Sequence, residues 1–141
     1  MVAMVNHTKV NGVPLTDIVK KGKIEKKVLD RIILRTKNGG AEIVKFLEKG
    51  SAFYAPAASG VLMAESYIHN KKNQLPCAAF LNGEYGVKDL YVGVPVIIGN
   101  EGVEKVIELK LSDEERNNFD KSIKAVRELF EAAQKIDKDL V

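Results

Sequence analysis

Two short turn motifs near the middle of the chain constrain its fold more strongly than any other feature. The motifs are Asn82-Gly83 and Asn100-Glu101-Gly102, and they separate three apolar runs at residues 75–81, 90–98 and 103–109. Asn-Gly favours the tight turn of a β-hairpin, because both central positions of that turn adopt positive φ angles. The three runs are therefore predicted to form an antiparallel meander of three strands.

Details of the same segment restrict how these strands can be placed. Pro76 and Pro95 lack the N–H group that a ladder hydrogen bond needs, so each is predicted to lie at a sheet edge or at a bulge. In the third run, apolar residues alternate only imperfectly with charged ones. That strand is therefore expected to be half-exposed.

Helical periodicity precedes the predicted sheet. Apolar residues recur on one face of a 3.6-residue period from residue 24 to about residue 49, although Gly39-Gly40 lies in the middle of this stretch. The helix either breaks at the pair or continues with lower stability, since each glycine costs about 1 kcal/mol relative to alanine. We favour a continuous helix capped by Gly50. A second helix is predicted from Pro56, a residue tolerated in a first helical turn, to about Asn70.

The last helix has the clearest start signal. Ser112 is followed three residues later by Glu115, which is the pattern of a capping box. Apolar residues then recur at helical spacing up to Ile136, while charged residues fill the opposite face. At the other end of the chain, Asn11-Gly12 predicts a small hairpin or an extended arm. The order of arm, two helices, meander and helix is that of a single α+β domain.

Composition argues against several classes of function. The 141 residues include 22 Lys+Arg and 19 Asp+Glu, and the resulting net charge of +3 is far from the dense positive stripe of a nucleic-acid binder. The apolar runs are much shorter than the ~20 residues that a membrane span needs. A single cysteine excludes an internal disulfide and a CxxC metal site. We therefore expect a soluble protein of cytoplasmic type, without membrane or nucleic-acid partners.

Periodicity and spacing indicate no active site. His7 and His69 lie in polar stretches without a carboxylate at helical spacing, so both are interpreted as solvated surface residues. Cys77 lies in the first predicted strand and is interpreted as a small buried apolar residue. The lysines between residues 20 and 27 are interpreted as an exposed helix start. No catalytic residue and no metal ligand is assigned.

Several segments, taken in order, resemble one enzyme family. Residues 83–95 are similar to the C-terminal domain of the lactate/malate dehydrogenases, and residues 50–59 resemble malate dehydrogenases of the lactate-dehydrogenase-like bacterial branch. Residues 12–15 and 40–44 also match. The resemblance extends from residue 1 to about residue 136, and it implies the fold of that C-terminal domain.

The resemblance also implies a second domain. Enzymes of this family carry an NAD-binding Rossmann domain first, and then a catalytic histidine in an H-G-D type motif just before the segment that matches Met1. The partner aspartate and the substrate-binding arginines lie upstream as well, and His7 falls several residues past the catalytic position. We therefore expect residues 1–141 to form the C-terminal domain alone and to be inactive without the Rossmann domain.

Three residues are assigned to the site by resemblance. Ser51 and Ala52 match the substrate-binding segment, in which lactate dehydrogenases place a hydroxyl residue at the Ala52 position and malate dehydrogenases tend toward a small one. Pro56 matches a position near the nicotinamide ring of the cofactor NAD. A small side chain leaves room for a dicarboxylate, so Ala52 favours malate. The alternative, that Ala52 and Pro56 simply fit a corner between two helices, stays open.

The leading hypothesis is the C-terminal domain of an NAD-dependent malate dehydrogenase, which interconverts (S)-malate and oxaloacetate in the tricarboxylic acid cycle. One alternative is the same domain of a lactate or other 2-hydroxyacid dehydrogenase, and another is a stand-alone oligomerisation module without catalysis. The helices at residues 32–47 and 56–68 carry more apolar residues than a small sheet and one helix can cover. A homo-oligomer, most simply a two-fold dimer, is therefore expected.

Overall fold

The N-terminal arm contains a small hairpin. The computed structural model describes residues 1–137 and 139. A 3-10 turn at Val5–His7 leads into β1 (Lys9–Val10), which pairs antiparallel with β2 (Val13–Pro14). Both residues of the Asn11-Gly12 turn adopt positive φ, so the predicted hairpin is confirmed. A short helix, α1 (Leu15–Lys20), follows and is not among the predicted elements.

Two long helices come next. Helix α2 (Lys26–Leu47) passes through Gly39-Gly40 without a break, which confirms one continuous helix. It ends earlier than predicted, because Glu48 already adopts a positive φ of 59° and takes the capping position expected of Gly50. Helix α3 (Tyr54–Ile68) begins two residues before Pro56. Proline is accommodated there because the N–H groups of a first turn have no acceptor within the helix.

The predicted meander is confirmed. Strands β3 (Asn73–Asn82), β4 (Lys88–Gly99) and β5 (Gly102–Val106) form an antiparallel sheet in the order β3-β4-β5. The β3–β4 connection is longer than a two-residue turn, since a 3-10 turn at Glu84–Gly86 is inserted after Gly83. The burial of β5 alternates between half-buried and exposed residues, as expected for a half-exposed strand.

Strand β5 stops three residues before the predicted end at Leu109. The Tyr85 hydroxyl donates to the Ile107 carbonyl at 2.7 Å and accepts from the Leu109 N–H at 2.9 Å. The Tyr85 N–H also donates to the Glu108 carboxylate. These bonds join residues 107–109 to the β3–β4 connection.

The two strand prolines lie directly opposite each other. Pro76 is in the edge strand β3, as predicted, but Pro95 is in the central strand β4 and the bulge lies elsewhere, between Ile97 and Ile98. Strand β5 ends at Val106, and the next residue, Ile107, is the one that faces Pro95. Pro95 is tolerated because the strand has already ended at that position. The Pro95 carbonyl still accepts a hydrogen bond from the Ile107 N–H at 2.8 Å.

One face of the sheet packs against α4 (Asp113–Ile136) to form the core. The capping box of α4 is confirmed, since Ser112 and Glu115 each accept a hydrogen bond from the other's backbone N–H. The rings of Tyr85 and Phe119 pack with centroids 5.1 Å apart. The buried apolar side chains of this core are Ala79, Leu81, Tyr85, Val87, Leu90, Val92, Val94, Val96, Ile98 and Phe119.

Helices α2 and α3 contribute almost nothing to this core. Helix α2 buries none of its 22 residues, and α3 buries only Ser66. Large apolar side chains on both helices are exposed, among them Phe46 at 78% and Ile68 at 70%. The predicted excess of apolar surface is therefore confirmed, whereas self-association stays a prediction.

Candidate functional site

The three predicted site residues lie in the connection between α2 and α3 and in the first turn of α3. Ser51 and Pro56 are exposed and Ala52 is half-buried. Gly50 bends the chain with a φ of +93°, and a Cβ at this position would lie 3.2 Å from the Phe53 ring. Glycine is therefore favoured by both the backbone conformation and the space available.

The segment that follows Gly50 carries no charged side chain over fourteen residues. From residue 51 to residue 64 the chain contains no Asp, Glu, His, Lys or Arg. The Ser59 hydroxyl donates to the Ala55 carbonyl at 2.9 Å, so it is held within the helix. Tyr54, two residues before Pro56, is 93% exposed and adds an aromatic ring to this uncharged segment. This segment can bind and orient an apolar or planar group, and it contains no carboxylate, imidazole or amine side chain.

A polar cluster away from this segment joins the N-terminal arm to the start of α4. The Glu115 carboxylate, in a residue 6% exposed, accepts from the Ser112 N–H at 2.9 Å and from the Asn6 amide at 3.1 Å. Burial raises the pKa of Glu115, but the hydrogen bonds from Ser112 and Asn6 stabilise the charged form and leave the pKa below its ordinary value. A cleft of about 610 Å³ opens beside this cluster and does not include Ser51, Ala52 or Pro56.

The two histidines and the cysteine lie outside the α2–α3 connection. His7 and His69 are exposed as predicted, and the His7 ring also lies 3.0 Å from the Lys110 carbonyl. Cys77 packs against the core, and burial raises the pKa of its thiol. Among residues 1–137 and 139, no three His, Cys, Asp or Glu side chains are grouped to hold a metal ion. No helix in that part of the chain is long and apolar enough to cross a membrane.

Sequence reasoning missed Ser66, the residue that joins α3 to the sheet. Its hydroxyl is buried between α3 and the ends of β3 and β4. The local signal is a serine in a mostly apolar helix, and periodicity cannot separate such a residue from an exposed one such as Ser59.

Comparison with known protein families identifies the family to which this chain belongs. The family described as lactate/malate dehydrogenase, alpha/beta C-terminal domain, matches residues 1–136. The chain belongs to the lactate/malate dehydrogenase family. The resemblance seen in the sequence and the fold class derived from it are thus confirmed.

Individual relatives of this dehydrogenase domain are similar in sequence and in structure. The malate dehydrogenase of Pelagibacter ubique (strain HTCC1062) is 60% identical over 140 residues, which are 99% of this chain and 44% of that protein. The Eimeria maxima lactate dehydrogenase crystallised with NADH and oxamate has a TM-score of 0.90 and 41% identity, over 96% of this chain and 42% of its own. The Cryptosporidium parvum malate dehydrogenase has a TM-score of 0.90 and 42% identity, over 94% and 42%.

The dehydrogenase domain thus spans less than half the length of the relatives that it matches. A lactate and a malate dehydrogenase fit it with the same TM-score of 0.90. The fold therefore does not separate the two substrates, and the discrimination depends on individual side chains.

Proposed function

We propose that the chain is the C-terminal domain of an NAD-dependent malate dehydrogenase, and that it forms one wall of the site where (S)-malate and oxaloacetate interconvert. The observation that carries this proposal is the 60% identity to the Pelagibacter ubique malate dehydrogenase over 99% of the chain. In the complete enzyme, an N-terminal Rossmann domain supplies the main NAD site, the catalytic histidine and the arginines that hold the substrate.

Ala52 and Ser51 are the proposed substrate contacts of this domain. Ala52 is half-buried beside the first turn of α3, so its methyl group can form part of a wall. A larger side chain there would occupy the space that the second carboxylate of oxaloacetate needs. Ser51 is exposed beside it and offers a hydroxyl for a hydrogen bond.

The first turn of α3 fits the nicotinamide end of NAD. Pro56 and its neighbours present an exposed, uncharged surface, which favours a neutral planar ring over a charged one. When NAD is bound, the chemistry that it supplies is hydride transfer. The role of Pro56 is to orient the ring and to exclude water from one of its sides.

The exposed apolar surfaces of α2 and α3 support a homo-oligomer in which the Rossmann domain and a second subunit cover them. A helix that is apolar on most of its faces is normally buried, whereas α3 exposes every residue except Ser66. We place the enzyme in the cytoplasm and in the tricarboxylic acid cycle.

A chimera tests the function. The segment of the Pelagibacter ubique enzyme that precedes the matching region is fused to residues 1–141, and NADH oxidation is followed with oxaloacetate and with pyruvate. We expect oxaloacetate to be reduced with the higher kcat/KM. Faster reduction of pyruvate would favour a lactate dehydrogenase, for which the fit to the Eimeria maxima enzyme is the supporting observation. A folded chimera that is inactive with both substrates would contradict the proposal.

The 141 residues by themselves are the matched control. They are expected to oxidise NADH no faster than a heat-inactivated sample, because the proposed catalytic histidine and the main NAD site belong to the Rossmann domain. Turnover at a rate normal for an enzyme would show that catalytic residues have been overlooked in this domain.

A further inference from the structure

Within this domain, the buried contact of helix α3 lies near its C-terminal end. Of its fifteen residues, Ser66 alone is buried, and it is completely inaccessible at 0% exposure. The opposite end of the helix follows directly on Ser51 and Ala52 and carries Pro56 in its first turn. All residues of that end are exposed.

The Ser66 hydroxyl joins three elements. Its Oγ donates to the Ile98 carbonyl at 2.7 Å and accepts from the Asn73 N–H at 3.2 Å. Asn73 begins β3, and Ile98 lies at the bulge of β4. One buried hydroxyl therefore satisfies two backbone groups at the end of the sheet.

A second bond lies close to the first. The Asn70 side-chain oxygen accepts from the Asn100 N–H at 3.2 Å, which joins the end of α3 to the β4–β5 turn. The Lys71 N–H donates to the Ser66 carbonyl at 3.0 Å and fixes the exit of the chain from the helix. We call these contacts of Ser66 and Asn70 the α3 anchor.

We propose that Ser66 is a positioning residue that determines where Ala52 and Pro56 lie relative to the substrate and the cofactor. The inference rests on the proposed function. Ser66 follows Tyr54 by twelve residues, and a rise of 1.5 Å per residue makes the helix between them about 18 Å long. A tilt of about 5° at the anchor would therefore move the first turn by about 1.5 Å. A misplacement of about 1 Å can cost on the order of 100-fold in rate.

The experiment uses the full-length chimera and the variant Ser66→Ala, which removes both hydrogen bonds and keeps a small side chain. We expect kcat for oxaloacetate reduction to fall at least 10-fold well below the melting temperature. The isotope effect with NADH deuterated at the transferred hydrogen should increase, because hydride transfer becomes slower. Val126→Ala is the matched control: it removes apolar contact from the core side of α4, so it should lower the melting temperature and leave kcat within twofold.

Asn70→Gly tests the same anchor without a buried substitution. Asn70 has a positive φ of 48°, which glycine adopts freely, so that the variant loses only the bond to Asn100. We expect a fall in kcat of about threefold with an increased isotope effect. Values of kcat within twofold of wild type for both anchor variants would overturn the positioning role, even if their melting temperatures fall.

A double-mutant cycle adds a readout that a merely structural role would not change. Ala52→Thr and Ser66→Ala are far apart, and distant substitutions normally act independently to within about twofold. We expect Ala52→Thr to change the ratio of oxaloacetate to pyruvate reduction much less in the Ser66→Ala background. Independent effects would count against the inference, with the proposed function intact. An inactive wild-type chimera would instead remove the proposed function and the inference together.

Discussion

The carboxylate of Glu115 joins two parts of the chain that are 109 residues apart. It caps the first turn of α4 and holds the arm through Asn6. Its pKa lies below the ordinary value, so the folded state binds a proton there less readily than the unfolded state does. The stabilisation is therefore fully present above the unfolded pKa, about 4.3, and is lost as the pH falls through the folded value.

Glu115→Gln is expected to lower the free energy of unfolding by about 1–2 kcal/mol at pH 7, because a charged acceptor of several hydrogen bonds becomes neutral. Urea unfolding of the 141-residue chain at a series of pH values measures this. The loss should shrink as the pH falls below 4. Glu114→Gln, at the exposed neighbouring position, serves as the control and should change stability little. Equal effects of the two substitutions at all pH values would contradict the role of Glu115.

Ala52 is the residue at which the choice of substrate can be tested most directly. In the chimera, Ala52→Thr is expected to impair oxaloacetate reduction more than pyruvate reduction, because the added atoms narrow the space for the second carboxylate. One crowding group typically changes discrimination by about 1–3 kcal/mol. The ratio of the two kcat/KM values measures it. The control Ala132→Thr makes the same chemical change on the exposed face of α4 and should leave the ratio unaltered. If Ala52→Thr lowers kcat/KM equally for oxaloacetate and pyruvate, Ala52 is not part of the substrate pocket.

At the scale of elements, α2 is a long helix with two glycines in its middle. A Cβ at Gly40 would meet no heavy atom of the described neighbours within 4 Å. The Arg35 guanidinium pairs with the Glu42 carboxylate at 3.1 Å along the face that contains Gly39. A substitution at Gly40 therefore leaves this ion pair undisturbed. The helix therefore has a local weakness that nothing inside this domain requires.

Gly40→Ala is expected to raise the free energy of unfolding of the 141-residue chain by about 1 kcal/mol, since alanine loses less backbone entropy than glycine in a helix. Chemical denaturation measures the gain. Gly99→Ala is the contrasting variant, because its Cβ would lie 2.6 Å from the Glu104 carboxyl carbon and 2.8 Å from the Asn70 side-chain oxygen. Gly99→Ala should lower the free energy of unfolding. If Gly40→Ala lowers it as well, the space beside Gly40 is occupied and α2 packs differently from this structure.

At the scale of the whole molecule, the sheet and α4 form a closed core while α2 and α3 stay largely uncovered. Phe46, Tyr54 and Ile68 are 78%, 93% and 70% exposed. A surface of this kind normally marks an interface with another protein.

We expect the 141-residue chain to associate with itself, most simply as a two-fold dimer. Light scattering over a concentration series is the measurement. Phe46→Glu together with Ile68→Lys should shift the equilibrium towards monomer, because each places a charge in the apolar surface. The control Leu129→Glu changes an exposed apolar residue on α4 instead. A monomer at high micromolar concentration would contradict the expectation.

Local signals were sufficient for the elements whose cause lies within a few residues. The Ser112–Glu115 capping box, the Asn11-Gly12 hairpin and the three apolar runs of the meander were all predictable from neighbouring residues. The resemblance also assigns a site to residues 51–56 and implies a role for Ser51, Ala52 and Pro56. Those roles stay proposals.

Only the tertiary structure decided what depends on residues far apart in the chain. Tyr85 ends β5 through bonds to residues 22 and 24 positions later, and Pro95 is tolerated because of that early end. The anchoring contact of Ser66 depends on the carbonyl of Ile98, which lies 32 positions later in the chain. The physical reason is that burial and long-range hydrogen bonds depend on residues that only folding brings together. Periodicity and capping depend on residues within one short stretch of chain.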